Sequence, residues 1–293
     1  MGWCRRRLRS AGTAVAIVFL VTLSCIESVG RAEAQLSNQG TSLERGRLDL
    51  PKVALTFDGG SESGESEMIL AVLEQRAVTA TFFLTGEYIR NNPTLVRRIV
   101  SAGHEVGNHT WSHPHLTTWD RTRRHDTLPD LDRAFLQDEL GRTARVYETV
   151  TGRRMSALWR APFGEVNRDL IGWANTAGWS HVGWTRDPAN GRQSLDSLDW
   201  VAERSSRNYL TSKQITARIL SFGSGGAGLN GGIVLMHLCT RTLDPEVTRL
   251  GELIDALRRE GYRFVTVTEL RRDAEMPVDV FIASRRESST VPR

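Results

Sequence analysis

Val53-Ala54-Leu55-Thr56-Phe57-Asp58 is a short apolar run closed by a carboxylate. Strands covered on both faces read this way, as near-continuous apolar stretches rather than as alternating ones. The pattern recurs at residues 80–84, 104–108, 157–160, 181–184, 232–237 and 263–267. Between these runs lie stretches of helical period at 66–75, 93–102, 131–151, 168–177, 212–222 and 246–260. Pro93 suits a first helical position, and Gly103, Gly152, Gly178, Gly223 and Gly261 suit helix ends. Seven strand-like runs alternating with helices predict an α/β fold with a parallel sheet, open or closed into a barrel. The regular pattern spans 51–271. Residues 184–211 read as an elaborated loop, 35–50 as a flexible lead-in, and 272–293 as a polar tail.

The first 34 residues have a different character. Arg5, Arg6, Arg7 and Arg9 precede an apolar run over 13–26, and Ala32-Glu33-Ala34 closes the segment. That order predicts a cleaved secretory signal peptide over 1–34 and a secreted, periplasmic or cell-envelope protein. The apolar run is short of the roughly 20 residues a membrane span needs, so no stable span is expected after cleavage. An uncleaved anchor or a lipid-modified Cys25 ranks lower, because no apolar residue stands three before that cysteine. The segment holds five arginines and two glutamates, so a chain of net charge +4 leaves about +1 after cleavage. The basic balance therefore belongs to the signal, and nucleic acid is not an expected partner. Cys4 and Cys25 leave with the signal. Cys239 alone would remain, so no intrachain disulfide is expected.

Reactive groups stand at the ends of five runs. Asp58 ends the first. His109 and His113 follow the third in Asn108-His109-Thr110-Trp111-Ser112-His113. Arg160 ends the fourth, Asp187, Asp196 and Asp199 follow the fifth, and His237 ends the sixth. In parallel α/β architectures the C-terminal strand ends share one face, where active sites form. Singly, each residue has a structural account: a helix cap, a surface ion pair, a satisfied core histidine. Together they point to an enzyme of metal-assisted hydrolysis. His109 and His113 would hold the metal and Asp58 would take a proton from water. Arg160 would keep Asp58 charged, and His237 would protonate the leaving group.

With those residues in place, the chain resembles the polysaccharide deacetylases of carbohydrate esterase family four, over roughly residues 51–270. Thr56-Phe57-Asp58-Gly59-Gly60, His109-Thr110-Trp111-Ser112-His113, Arg160-Ala161-Pro162-Phe163-Gly164 and Leu235-Met236-His237 look like the family's first, second, third and fifth motifs. The resemblance implies a distorted (β/α) barrel of about seven parallel strands. It also implies metal-dependent removal of acetyl groups from an amino-sugar polysaccharide such as peptidoglycan or a chitin-like glycan. It makes Asp58 the base and His237 the acid, with Arg160 and Asp199 supporting them. Pro162, Trp200 and Leu235 would contact substrate. His109, His113 and Asp58 would bind the metal, zinc first, with cobalt or another divalent ion as alternatives.

Two departures from the family pattern stand out. Gly59 occupies the place of a second aspartate that the family uses as third ligand, which leaves Asp58 itself or Glu62 to substitute. The fourth motif is displaced to Asp196-Ser197-Leu198-Asp199-Trp200, with Asp187 as the fallback. An O-acetyl polysaccharide esterase and a glycan-binding pseudoenzyme are the competing readings. Trp111 and Trp119 are further candidates for the glycan groove.

Overall fold

The computed structural model describes residues 41–187, 193–224, 228–240 and 247–276. The predicted signal peptide, the start of the lead-in and most of the predicted tail lie outside the described residues. The described residues from Ser42 onward fall in one compact unit. In chain order its elements are β1 (Lys52–Gly59), α1 (Ser66–Gln75), β2 (Thr81–Leu84), α2 (Gly86–Asn91), α3 (Pro93–Ser101), β3 (Glu105–Asn108), α4 (Trp119–Thr122), α5 (Arg133–Thr151), β4 (Leu158–Trp159), α6 (Arg168–Thr176), β5 (Ser180–His181), α7 (Ser212–Leu220), β6 (Gly232–His237), α8 (Val247–Arg259), β7 (Arg263–Phe264) and α9 (Val267–Glu275). Among the described residues no helix is long and apolar enough to cross a membrane.

The strands run parallel in the order β5-β4-β3-β2-β1-β6, and β7 pairs with the start of β1. β1 therefore shares one edge between two partners. Lys52 and Val53 pair with Arg263 and Phe264, and Thr56 to Gly59 pair with β2. The remaining gap, between β5 and β6, is closed by irregular chain. Thr185 N–H donates to Ile233 O, Leu235 N–H to Leu195 O, and Ser197 N–H to Leu235 O. The result is a distorted barrel of seven strands whose last wall is a loop.

Alternation along β1 sets its two faces. Val53, Leu55 and Phe57 join the larger core beneath the helices, with Leu70, Leu73, Leu253 and Ile254. Ala54 points inward to Phe83, Leu158, Val182 and Ile233. By the same alternation Thr56 and Asp58 face the barrel interior. A side chain at Gly107 would stand 2.7 Å from the Phe83 ring, so a glycine there lets that ring fill the interior.

Two stretches are more ordered than the sequence suggests. Residues 42–50, read as part of a flexible lead-in, lie against the sheet. Leu43 bridges Val182, Arg45 bridges Gly232, and Leu50 is buried. Residues 272–276, assigned to the tail, include the last turn of α9. Thr266 and Glu269 form a capping box at its start, and Asp273 pairs with Lys52.

Gly231 adopts φ +66°, and a Cβ there would lie 2.6–2.7 Å from backbone atoms of Gly46 and Arg47. Gly231→Ala is expected to cost more than about 1 kcal/mol, read as a lower denaturation midpoint at unchanged slope. An unchanged midpoint would show that 46–47 yields freely.

Candidate active site

Asp58 is buried at the C-terminal end of β1, and its two oxygens have different surroundings. Oδ1 accepts from the Arg160 guanidinium at 2.7 Å, while Oδ2 lies 3.6 Å from His109 Nε2. Arg160 is buried just beyond β4. Its nitrogens also donate to Thr56 Oγ1 at 2.8 Å, Val182 O at 3.2 Å and Gly183 O at 3.0 Å. Burial opposes the charge on Asp58, but Arg160, then His109 and His237, hold its pKa below the usual carboxylate value.

His109 follows β3. Its Nδ1 pairs with Arg160 O at 2.9 Å, which turns Nε2 toward Asp58. His113 lies on the loop beyond, with its ring edge-on to that of His109 at 4.9 Å between centroids. Burial lowers the pKa of both, and takes His113 down to about 3. Both rings are thus neutral, as metal ligation requires. A backbone carbonyl on the far nitrogen of His109 also fixes the tautomer a ligand needs. The chemistry of this pair fits a divalent ion of borderline softness such as zinc. Asp58 Oδ2 is the adjacent carboxylate oxygen. Among the described residues, no three His, Cys, Asp or Glu side chains form a complete metal-holding group. Glu62, the proposed substitute ligand, is exposed and accepts from Cys239 Sγ at 3.5 Å.

His237 ends β6 directly opposite Asp58 in the parallel register. Asp199 grips it twice. Oδ1 accepts from ring Nδ1 at 2.7 Å, and Oδ2 accepts from the backbone N–H of His237 at 2.9 Å. Burial disfavours the charged ring, yet Asp199, then Asp58 and Asp196, carry its pKa up to about 9. Asp199 reaches this place because Leu198 adopts φ +61° and donates its N–H to Asp196 Oδ1 at 2.9 Å. Asp199, and not Asp187, therefore partners the histidine. Asp187 N–H instead pairs with Gln193 O, on the loop before it.

Leu235 is buried two residues before His237, on the same inward face by alternation. Trp200 is 52% exposed beside Asp199, and Pro162 opens a short 3₁₀ turn. Trp111 packs on Gly86 and sits between the guanidiniums of Arg90 and Arg142, at 5.6 and 4.4 Å from its ring centre. Its ring is half-buried there, next to the two cations. Trp119 stacks on His125 at 4.6 Å.

Three residues of the site region carry no signal in a local reading. Phe163 is 55% exposed at φ +57° and stacks on His115 at 4.1 Å. Glu165 is buried, accepting from His115 Nδ1 at 2.7 Å and from the N–H groups of Leu116 and Thr117 at 2.9 Å. Glu139 holds the histidine loop from α5 through backbone bonds.

A parallel barrel with acidic and imidazole groups gathered at the C-terminal ends of its strands has the build of an α/β-barrel enzyme. The sequence profile described as polysaccharide deacetylase matches residues 45–182. A chitooligosaccharide deacetylase of Bradyrhizobium is 31% identical over 229 residues, covering 74% of this chain and 90% of its own. A peptidoglycan-N-acetylglucosamine deacetylase of Bacillus cereus is 29% identical over 226 residues, covering 77% and 70% respectively. Among solved structures, a mutant of a Bacillus anthracis family 4 carbohydrate esterase pseudoenzyme, with restored enzymatic activity, superposes with a TM-score of 0.60. That match has 25% identity and covers 79% of this chain and 71% of the other. The chain belongs to the polysaccharide deacetylase family.

Two outcomes follow from this electrostatic arrangement. His237 is expected to be protonated at neutral pH and to titrate near 9, followed by imidazole NMR. Asp199→Asn should bring the midpoint toward or below the ordinary 6.5. Because the folded pKa is raised, the stability this pair contributes is complete below about 6.5 and lost as pH rises through about 9. Arg160→Met leaves the Asp58 carboxylate buried and uncompensated. Urea denaturation should show a loss of about 3–5 kcal/mol, and a loss near zero would mean that the pair is dispensable.

Proposed function

We propose that this chain is a secreted or envelope hydrolase that removes N-acetyl groups from an amino-sugar glycan, peptidoglycan or a chitin-like polymer. One observation carries the reading. Asp58 and His237 face each other on neighbouring strands, the first paired with Arg160, which favours its ionised form, and the second with Asp199, which favours its protonated form. Two titratable groups with pKa values pushed apart are what amide hydrolysis needs. Asp58 Oδ2 accepts the proton of the attacking water as its oxygen adds to the acetyl carbon. His237 Nε2–H gives a proton to the sugar nitrogen as the C–N bond breaks, so acetate and a free amine leave. His109 and His113 are the side chains to hold a divalent ion, zinc first, with Asp58 alongside. When bound, such an ion supplies Lewis acidity toward the acyl oxygen. Leu235, Trp200 and Pro162 would line the acyl end of the substrate. The N-terminal sequence supports export, and the two named deacetylase relatives support an amino-sugar substrate.

Gly59 favours a second reading, a glycan-binding pseudoenzyme. The residue is tightly packed, since a Cβ there would lie 2.8–2.9 Å from Leu84 and Leu238 and 3.3 Å from Tyr88. An added side chain would displace those neighbours. The likeness to a pseudoenzyme whose mutant regains activity adds weight.

Acetate release from chitin oligomers and from N-acetylated peptidoglycan separates these readings. The chain is stripped of metal and resupplied with zinc, cobalt or nothing, beside a His113→Ala control. Zinc-restored release that the control lacks is the expected result. Release from O-acetylated glycan alone would make the protein an esterase. Glycan binding without release under any metal would make it a pseudoenzyme.

A further inference from the structure

We infer that Glu139, on α5 and outside every motif above, sets the position of His113 and so the geometry of the histidine pair. It is a positioning residue, and its assignment rests on the metal-site reading just given.

The Glu139 side chain is buried. Its Oε2 accepts from the N–H groups of Trp111 and Ser112, each at 2.9 Å, and both oxygens lie 3.2 Å from Ser112 Oγ, which donates to them. One residue along α5, Leu140 O accepts from Asn108 Nδ2 at 2.9 Å, and Asn108 Oδ1 in turn accepts from Thr110 N–H at 3.0 Å. From the other side, Gly86 N–H and Glu87 N–H donate to Thr110 O and Trp111 O at 3.0 and 3.2 Å. The loop from Asn108 to Ser112 is thus bolted to α5 on one flank and to the start of α2 on the other.

Such bracing is needed because the loop adopts unfavourable backbone angles. Thr110 and His113 stand at φ +66° and +57°, the left-handed region that residues with a Cβ avoid. Strain of this kind persists only where surrounding contacts impose it.

The two histidines differ in how they are held. His109 has its own anchors, a backbone bond to Leu84 O and a ring bond to Arg160 O. Among the described residues the His113 ring makes no hydrogen bond. It packs edge-on against the rings of His109 and Phe163. Its place therefore follows from the backbone that enters it at Ser112, which Glu139 holds. Removing the Glu139 side chain frees two part-buried N–H groups and lets that backbone leave the left-handed region. A glutamine can keep the arrangement, with its carbonyl oxygen on both N–H groups and its amide N–H on Ser112 Oγ.

Zinc affinity, measured by competition with a chromophoric chelator, tests this in wild type, Glu139→Gln and Glu139→Ala. Circular dichroism and backbone amide shifts are followed in parallel. Glu139→Ala should bind zinc about ten- to a hundredfold more weakly, with shifts centred on residues 110–113. Glu139→Gln should stay close to wild type. On a His113→Ala background the Glu139→Ala change should add no further loss. If Glu139→Ala lowers the melting temperature but binds zinc as wild type does, Glu139 is only structural and the inference fails while the metal reading stands. If wild type binds no zinc, the metal reading fails and takes this inference with it.

Discussion

The buried pair of Arg160 and Asp58 is the contact around which the barrel's upper half is organised. The guanidinium reaches the Asp58 carboxylate and the Thr56 hydroxyl on β1, and the carbonyls of Val182 and Gly183 just after β5. Its own carbonyl receives His109 from the end of β3. One residue thus ties three strands that are far apart in sequence, and every tie is a hydrogen bond with no water to replace it. Stability alone does not call for a charge here, since an apolar pair of similar volume would serve a core at least as well. What the charge does is keep a carboxylate ionised where burial would otherwise neutralise it.

The way the barrel closes matters as much as its strands. An eighth strand would have paired regularly with β6 and pointed its side chains alternately in and out. Irregular chain does this instead, touching β6 through Thr185, Leu195 and Ser197 and then turning sharply at Leu198. The turn brings Asp199 under His237, where it binds both the ring and the backbone of that residue. Asp199 fills this place, while a carboxylate three residues earlier, Asp196, is spent on the turn itself.

Most of the fold can be read in the sequence, for a physical reason. Parallel strands covered on both faces are apolar at consecutive positions, and all seven runs became strands, although β4, β5 and β7 keep only two residues each. Their pairing ends where the loop wall takes over. The helix α9 was legible as well, in the capping box of Thr266 and Glu269, but the preceding apolar run invited a longer strand. Of the site, the groups that end strands could be read because strand ends converge. Glu139 and Glu165 could not, because each acts on backbone N–H groups 27–28 and 48–49 residues away and leaves no local pattern. Trp111 likewise takes its cationic neighbours, Arg90 and Arg142, from two different helices, which no local pattern announces.

Gly59 bears on how the roles within the site are shared. By alternation its side-chain direction is opposite to that of Asp58, toward Leu84, Leu238 and Tyr88 in the helix-side core. The three neighbours have closed over the position, so the chain has adapted its packing to the glycine. Among the described residues Asp58 is then the one carboxylate paired with His109, and Arg160 already occupies its Oδ1. A single oxygen, Oδ2, lies toward His109 and would, under the proposed chemistry, also receive the proton of the attacking water. An oxygen engaged as a ligand is a poorer base, because the lone pair it would offer a proton is already shared. Were an ion held by two neutral imidazoles and that one oxygen, a weaker hold on it would leave Asp58 freer to act as the base proposed above.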